Sequence, residues 1–302
     1  MSASFTGLGA AEQRELDEIG PRWGHDIQRH RDRVLEIYRP YLAKAPKEGV
    51  TVTRDVAYGS HPRQVLDVFR PQSGERMPVV IFVHGGAFVR GNKDVNDEVY
   101  ANVLYFFARN DCLGINAEYR LAPEVRYPDV SHDLGGAVSW ARANAQRFGG
   151  DPQRIFFIGH SAGATHLATY VCDPHVRPTA GHGLRGIVLL SGRLRADARA
   201  DNPNAAGVRA YYGDDASRYE AVSPVSHAAN LDIPVLIAIA EYENPLLDIY
   251  GAEFLHRISA IRGRAPRFIQ MARHNHITMA AHFNTAEDTL GREILGFIAR
   301  VG

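Results

Sequence analysis

The sequence predicts an α/β protein built on one mostly parallel sheet of about eight strands with helices on both sides. Short apolar runs recur from about residue 50, and the third and the last four are apolar throughout, which is typical of strands covered on both faces. Helical patterns lie between them, the clearest at residues 128–148 with Gly149 as its stop. The first two runs have no helix between them, so we expect the sheet to begin antiparallel. The predicted strands are residues 50–56, 65–69, 79–84, 112–118, 155–158, 187–190, 235–240 and 268–271.

Composition narrows the class of protein. The 302-residue chain is 45% hydrophobic, which is enough for a sizeable core. Its 34 basic residues balance its 34 acidic residues, so we expect neither nucleic acid nor an anionic membrane as a partner. The start of the chain lacks the basic and apolar regions of a secretory signal, and no apolar run approaches the ~20 residues that span a bilayer. We therefore expect a cytoplasmic protein whose two cysteines, Cys112 and Cys172, are buried free thiols.

The first 45 residues differ from the rest because they are charged and helical in pattern. Gly20-Pro21 is expected to divide them into two helices, with Pro21 at the first position of the second. This segment either caps a pocket or packs on the flank of the main domain, and the sequence leaves both open. Residues 46–302 are predicted to form the main domain, with residues 192–231 as a possible second cap excursion.

The string Gly159-His160-Ser161-Ala162-Gly163 has the form of a nucleophile elbow. In such an elbow a serine lies on a sharp turn between a strand and a helix, and the flanking glycines allow close approach of neighbouring backbone. The apolar run before Ser161 and the helical pattern at residues 162–172 supply that context. Ser161 is therefore the candidate nucleophile.

A second string, His84-Gly85-Gly86-Ala87, has the form of a loop that offers backbone N–H groups to an oxyanion. Together with the residue after the nucleophile it predicts an oxyanion hole made by Gly85, Gly86, Ala87 and Ala162. His84 is expected to brace this loop.

A serine nucleophile needs a histidine base and a carboxylate that orients it, and in this arrangement they follow the serine in the order acid, then histidine. Three carboxylates follow the strand at residues 235–240, namely Glu241, Glu243 and Asp248. Two histidines follow the next strand, His274 and His276. Parallel strands place their carboxyl ends at one edge of a sheet, so both groups are expected near Ser161.

These strings, together with Tyr119-Arg-Leu-Ala-Pro-Glu124 and Gly149-Gly-Asp-Pro152, resemble the α/β-hydrolase superfamily, and within it the hormone-sensitive-lipase-like carboxylesterases and related arylformamidases. The resemblance covers residues 78–301 and implies an α/β-hydrolase fold with a helical cap. It also implies that His276, which precedes an apolar residue, is the base and that Glu243 is the acid where relatives carry aspartate. Asp248 and His274 are the alternatives.

Four aromatic residues are candidates for the substrate pocket: Phe88, His160, Tyr211 and Tyr212. Aromatic side chains lie in protein cores at least as often as in pockets, and His160 has an equally good structural interpretation. The grouping of His274, His276 and His282 raises the question of a metal, but no carboxylate or cysteine follows at ligand spacing. The sequence therefore predicts no metal and no cofactor.

The function predicted is a serine hydrolase that cleaves small carboxylic esters through an acyl-enzyme intermediate, with Ser161, His276 and Glu243 as its triad. An amidase or arylformamidase would use the same triad, and the sequence does not distinguish them. A non-catalytic ligand receptor on the same scaffold is a third interpretation, which the presence of both Ser161 and His276 disfavours.

Overall fold

A computed structural model describes residues 7–96 and 98–302. Its eight strands form one sheet in the order β1-β2-β4-β3-β5-β6-β7-β8. The pairs β1–β2 and β2–β4 are antiparallel and all other pairs are parallel, which confirms the predicted fold class and the predicted antiparallel start. The strands are β1 (Val50–Ala57), β2 (Val65–Pro71), β3 (Met77–Val83), β4 (Leu113–Ala117), β5 (Gly150–His160), β6 (Gly186–Leu190), β7 (Val235–Tyr242) and β8 (Arg267–Asn275).

Helices cover both faces of the sheet. They are α1 (Ala10–Arg22), α2 (Ile27–Ala43), α3 (Ala101–Ala108), α4 (Asp129–Asn144), α5 (Ala162–Cys172), α6 (Ala205–Tyr212), α7 (Tyr219–Val222), α8 (Leu247–Arg262), α9 (Thr278–Ala281) and α10 (Thr289–Val301). The pattern at residues 128–148 forms α4 and a short 3-10 segment, and Gly149 then ends it in the left-handed region at φ 84°. In the described residues no helix has the length and apolarity to cross a membrane.

The core has two layers, one on each side of the sheet. Ile81 and Phe157 point to the layer that carries α4, α5 and α8, whereas Val80 and Phe156 point to the opposite layer with α1, α2, α3 and α10. All four side chains are fully buried, which explains why the central strands appear as uninterrupted apolar runs in the sequence. Cys112 and Cys172 are buried free thiols, as predicted.

The division of the N-terminal segment differs from the prediction. Helix α1 continues through Pro21 to Arg22, and the chain then forms a 3-10 turn before α2 begins at Ile27. The prediction that Pro21 begins the second helix was therefore wrong. The actual start signal is Asp26, whose carboxylate accepts the N–H of Arg29 at 3.2 Å and satisfies a donor of the first turn.

Candidate active site

Ser161 lies between the end of β5 and the start of α5, with φ 55° and ψ −121°. A Cβ on Gly159 would be 2.6 Å from the backbone of Ala164, and one on Gly163 would be 2.5 Å from the carbonyl oxygen of His84. Real Cβ atoms do not approach backbone so closely, so the turn requires both glycines. Ser161 is held by its N–H, which donates to the carbonyl of Leu190 on β6 at 2.9 Å.

Three side chains from three strand ends form one hydrogen-bonded chain. His276 Nε2 lies 3.0 Å from Ser161 Oγ, and His276 Nδ1 lies 2.7 Å from Glu243 Oε2. Glu243 follows β7 and His276 follows β8, which are neighbouring parallel strands, so their carboxyl ends bring the two side chains to the edge where β5 presents Ser161. The His276 and Glu243 side chains are only 5% and 2% exposed, so solvent does not compete for the hydrogen bond between them.

The electrostatics of the chain favour an ionised Glu243. Burial alone would raise the pKa of this carboxyl, but the attraction and hydrogen bond of His276, together with the N–H of Ala240 at 2.9 Å, hold the pKa below its ordinary value. A carboxylate accepts a hydrogen bond from Nδ1–H, and this tautomer directs the lone pair of Nε2 at the serine hydroxyl. In this geometry His276 Nε2 lies where it can accept the proton of Ser161 Oγ.

The alternative acids and base lie elsewhere in the described structure. Asp248 is in the first turn of α8, and Glu241 is exposed and accepts the N–H of Arg273 at 2.6 Å. His274 points away from Ser161, with Nδ1 at 3.1 Å from Thr278 Oγ1.

The loop after β3 lies against the serine. Gly85, Gly86 and Ala87 line the same pocket as Ser161. A Cβ on Gly86 would be 1.7 Å from the carbonyl oxygen of Arg90, and one on Gly85 would be 2.7 Å from Ser161 Cβ, so the loop fits there only without side chains. Ala162 begins α5, where the first N–H groups have no acceptor within the helix. The four predicted oxyanion-hole residues therefore surround the serine.

His84 and Glu118 form a buried brace beneath this loop. His84 Nδ1 is 2.6 Å from the Gly85 carbonyl, and Nε2 is 2.7 Å from Glu118 Oε1. Glu118 also accepts from Arg63 and from the N–H of Lys93. Burial would raise the pKa of Glu118, but His84 and Arg63 outweigh it and lower the pKa. The bracing role expected for His84 fits these contacts, whereas nothing in the sequence singled out Glu118 as its partner.

The N-terminal helices line the pocket at Ser161. The pocket has a cavity volume of about 70 Å³, and Trp23, Ile27, Gln28 and Arg31 line it. The indole N–H of Trp23 donates to Asn244 Oδ1 at 2.9 Å, beside Glu243. Sequence reasoning did not identify these residues, although the conspicuous signal was a tryptophan in an otherwise charged segment.

The predicted pocket aromatics separate into two groups. His160 lines the pocket, and its Nε2 lies 2.9 Å from the carbonyl oxygen of His276. Phe88 and Tyr211 instead stack at 5.1 Å between ring centroids, with Tyr212 against both, in the core behind the oxyanion loop. The expectation that Phe88, Tyr211 and Tyr212 form the pocket wall was wrong for the Ser161 pocket, because these rings find their partners in one another.

Buried neutral histidines make the fold sensitive to acid. Burial lowers the pKa of His160 and of His166 to about 3. In the unfolded chain both histidines have a pKa near 6.5. Below that pH the unfolded state binds protons and the native state does not, so the free energy of unfolding falls as the pH is lowered to about 3. Between pH 7 and pH 5 we expect a loss of about 2 kcal/mol for each of the two histidines.

Urea unfolding at pH 7 and pH 5 measures this loss. The variant His166→Gln is expected to lose about 2 kcal/mol less than the wild type between the two pH values, whatever its absolute stability. His256, which is exposed on α8, supplies the control His256→Gln, which should keep the wild-type pH dependence. An unchanged pH dependence in His166→Gln would show that His166 is not held neutral.

The structure also corrects the argument about a metal. His274 and His282 lie with Glu287 in a group whose three ligand atoms are all within 4.8 Å of one another. Glu287 was overlooked in the sequence because it is thirteen residues beyond His274, and only the return of the chain after α9 brings them together.

Comparison with known proteins finds similar sequences and structures among esterases. A family model described as BD-FAE matches residues 66–173. Esterase LipC of Mycobacterium tuberculosis is 42% identical over 38% of this chain and 28% of its own length, and an arylesterase of Saccharolobus solfataricus is 28% identical over 78% of each chain. A solved hyperthermophilic esterase from Pyrobaculum calidifontis has a TM-score of 0.72 at 20% identity, covering 96% of this chain and 97% of its own.

The chain has the α/β-hydrolase fold of these solved esterases. In sequence it is similar to proteins named as esterases and carboxylesterases, which agrees with the resemblance of its motifs. The chain spans between 26% and 31% of the length of three curated relatives that it matches locally.

Proposed function

We propose that this protein is a serine hydrolase that cleaves carboxylic esters of modest size. The observation that carries the proposal is the hydrogen-bonded chain from Ser161 through His276 to Glu243. It lies beside the loop that contains Gly85 and Gly86. The similar proteins are named as esterases, which favours an ester over an amide as the bond cleaved.

In the proposed reaction, His276 Nε2 removes the proton of Ser161 as Oγ attacks the ester carbonyl carbon. The N–H groups of Gly86, Ala87 and Ala162 stabilise the tetrahedral oxyanion, and Glu243 stabilises the imidazolium. When the intermediate collapses, the C–O bond to the alcohol breaks and His276 gives its proton to that oxygen. Water, deprotonated by the same nitrogen, then attacks the acyl carbon; the bond to Ser161 Oγ breaks, His276 returns the proton to Oγ, and the carboxylic acid is released.

The N-terminal segment acts as the cap of this site in our proposal. Trp23 is 2% exposed, and it lines the pocket together with Tyr100 and the oxyanion loop. Because rigid aromatic walls limit the length of chain that fits, esters of short acids are the expected substrates.

Two measurements test the proposed function. A fluorophosphonate probe should label Ser161 and no other residue, which separates an enzyme from a ligand receptor. Rates on p-nitrophenyl esters of increasing acyl length should fall with length and exceed the rate on N-formylkynurenine. Failure of the wild-type protein to react with the probe or to cleave any ester would refute the proposal, and preference for the formamide would redirect it to amide bonds.

The acid is tested by a pair of isosteric changes. Glu243→Gln keeps an acceptor for the N–H of Ala240 but removes the charge that stabilises the imidazolium, so kcat on p-nitrophenyl acetate should fall by about two to four orders of magnitude. Asp248→Asn makes the same chemical change on α8 and should alter kcat by less than about tenfold. An inactive Asp248 variant beside an active Glu243 variant would reassign the acid.

A further inference from the structure

The cluster of His274, His282 and Glu287 lies outside the Ser161 pocket and has no part in the proposed hydrolysis. The three residues are 3%, 0% and 2% exposed. Glu287 Oε2 is 3.3 Å from His282 Nε2 and 3.6 Å from His274 Nε2. Polar atoms so deeply buried require partners, yet His282 Nε2 and Glu287 Oε2 make no hydrogen bond within the described chain.

Hydrogen bonds outside the cluster fix which nitrogen of each ring carries the proton. His282 Nδ1 lies 2.6 Å from the carbonyl oxygen of Thr278, which only accepts, so Nδ1 is the donor. Thr278 Oγ1 gives its own proton to the carbonyl of Asn275, so it accepts from His274 Nδ1 at 3.1 Å. When neutral, both rings therefore turn an Nε2 lone pair toward the same carboxylate oxygen.

Three acceptors facing one another need a cation between them. Within the described residues, the two histidines are the only ion-pair partners of Glu287, and no lysine or arginine enters the cluster. A bound cation would give His282 Nε2 and Glu287 Oε2 the partner that each lacks among the described residues. Neutral imidazole is the form that binds metals.

We propose that His274, His282 and Glu287 form a binding site for a divalent transition metal ion, with zinc as the ion that fits best. Two imidazoles and one carboxylate are a ligand set that zinc prefers. In a tetrahedral site with metal–ligand bonds of about 2.0–2.1 Å, neighbouring ligand atoms lie about 3.3 Å apart. The separations at Glu287 Oε2, 3.3 Å and 3.6 Å, are close to this spacing, and all three ligand atoms lie within 4.8 Å of one another.

The surroundings of the cluster have the form of a metal site. A metal-bound histidine ordinarily donates its other ring N–H to a carbonyl or hydroxyl oxygen, and Thr278 supplies both acceptors here. The second oxygen of Glu287 accepts the N–H of Thr289 at 3.0 Å, at the start of α10. A metal at this site would join the end of β8 to α9 and to the start of α10. Its ligand His274 is two residues before His276 in the sequence, and we expect the bound metal to stabilise this part of the fold.

Metal content tests the proposal independently of any esterase activity. The tag-free full chain, dialysed against chelator and then loaded with zinc, should retain about one zinc ion per chain after removal of the excess, measured by elemental analysis. Cobalt in place of zinc should give the visible absorption of a tetrahedral ion. Zinc should raise the unfolding temperature of the wild type.

Conservative variants locate the bound ion. Glu287→Gln keeps the acceptor for Thr289 but loses the charge, and His282→Gln removes one nitrogen ligand; each should weaken zinc binding more than about a hundredfold and abolish the thermal shift. The exposed residues Glu75 and His256 give the controls Glu75→Gln and His256→Gln, which should bind zinc as the wild type does.

Two results would overturn the proposal. One is wild-type protein that takes up no stoichiometric zinc or cobalt, or variants at Glu287 and His282 that retain it. The other is a nitrogen NMR spectrum in which His274 or His282 carries protons on both ring nitrogens at neutral pH in the presence of zinc, because a proton would then hold the cluster together. Loss of esterase activity alone would not bear on the site.

Discussion

Ser161→Ala is expected to lower kcat on p-nitrophenyl acetate by about three to six orders of magnitude while the protein stays folded. The attacking atom is lost, and only binding and the oxyanion loop remain to assist water. The fold should tolerate the change because the serine contributes to it through backbone, with its N–H bonded to Leu190 at 2.9 Å, whereas its Oγ contacts His276 at 3.0 Å. Alanine keeps the backbone contact.

The matched control is Ser139→Ala, the same change on an exposed turn of α4. Both variants should show the circular dichroism and unfolding temperature of the wild type, and the Ser139 variant its kcat as well. Full turnover by a correctly folded Ser161 variant would remove Ser161 from the mechanism and with it the proposed function.

The fold could be predicted from the sequence because the information is local. Buried parallel strands require apolar residues on both faces, so each central strand stands out as a run between helical patterns. The ends of the strands were harder to predict from the sequence. The predicted strand at residues 155–158 is only part of β5, which begins at Gly150. Gly150 joins the sheet by pairing with Met77, and the register then shifts before Ile155 pairs with Val79, which no side-chain pattern reports.

The candidate site divides in the same way. The elbow and the oxyanion loop are short motifs whose glycines are required because nearby atoms leave no room for a Cβ, so both motifs can be recognised in the sequence. The pocket wall depends on Trp23 reaching Asn244, 221 residues away, and the brace on His84 meeting Glu118. Contacts between distant segments follow from the packing of whole helices, which a single sequence does not encode in any short pattern.

The two histidines of the His274-Asn275-His276 string show how a difference of two residues separates two chemistries. Both side chains leave the end of β8 and both are buried, yet His276 points to Ser161 and His274 to Glu287. Asn275 divides them, since its Oδ1 accepts the N–H groups of Ile277 and Thr278 at 3.1 Å and turns the chain into α9. The resemblance to known hydrolases favoured His276, and the turn at Asn275 gives a physical reason for that preference.

His276→Ala is expected to lower kcat by about four to six orders of magnitude, because no other group in the described residues lies where it can take the proton of Ser161. His274→Ala should cost at most about a hundredfold, the loss that follows when a neighbouring segment shifts the base by about 1 Å. Turnover of p-nitrophenyl acetate and zinc content, measured on both variants, separate the two roles. The His276 variant should lose turnover and keep its zinc, and the His274 variant should lose zinc and keep most of its turnover. If His274→Ala is instead the more damaging change to kcat, the base must be reassigned to His274, since a residue that only positions its neighbour cannot matter more than the group that moves the proton.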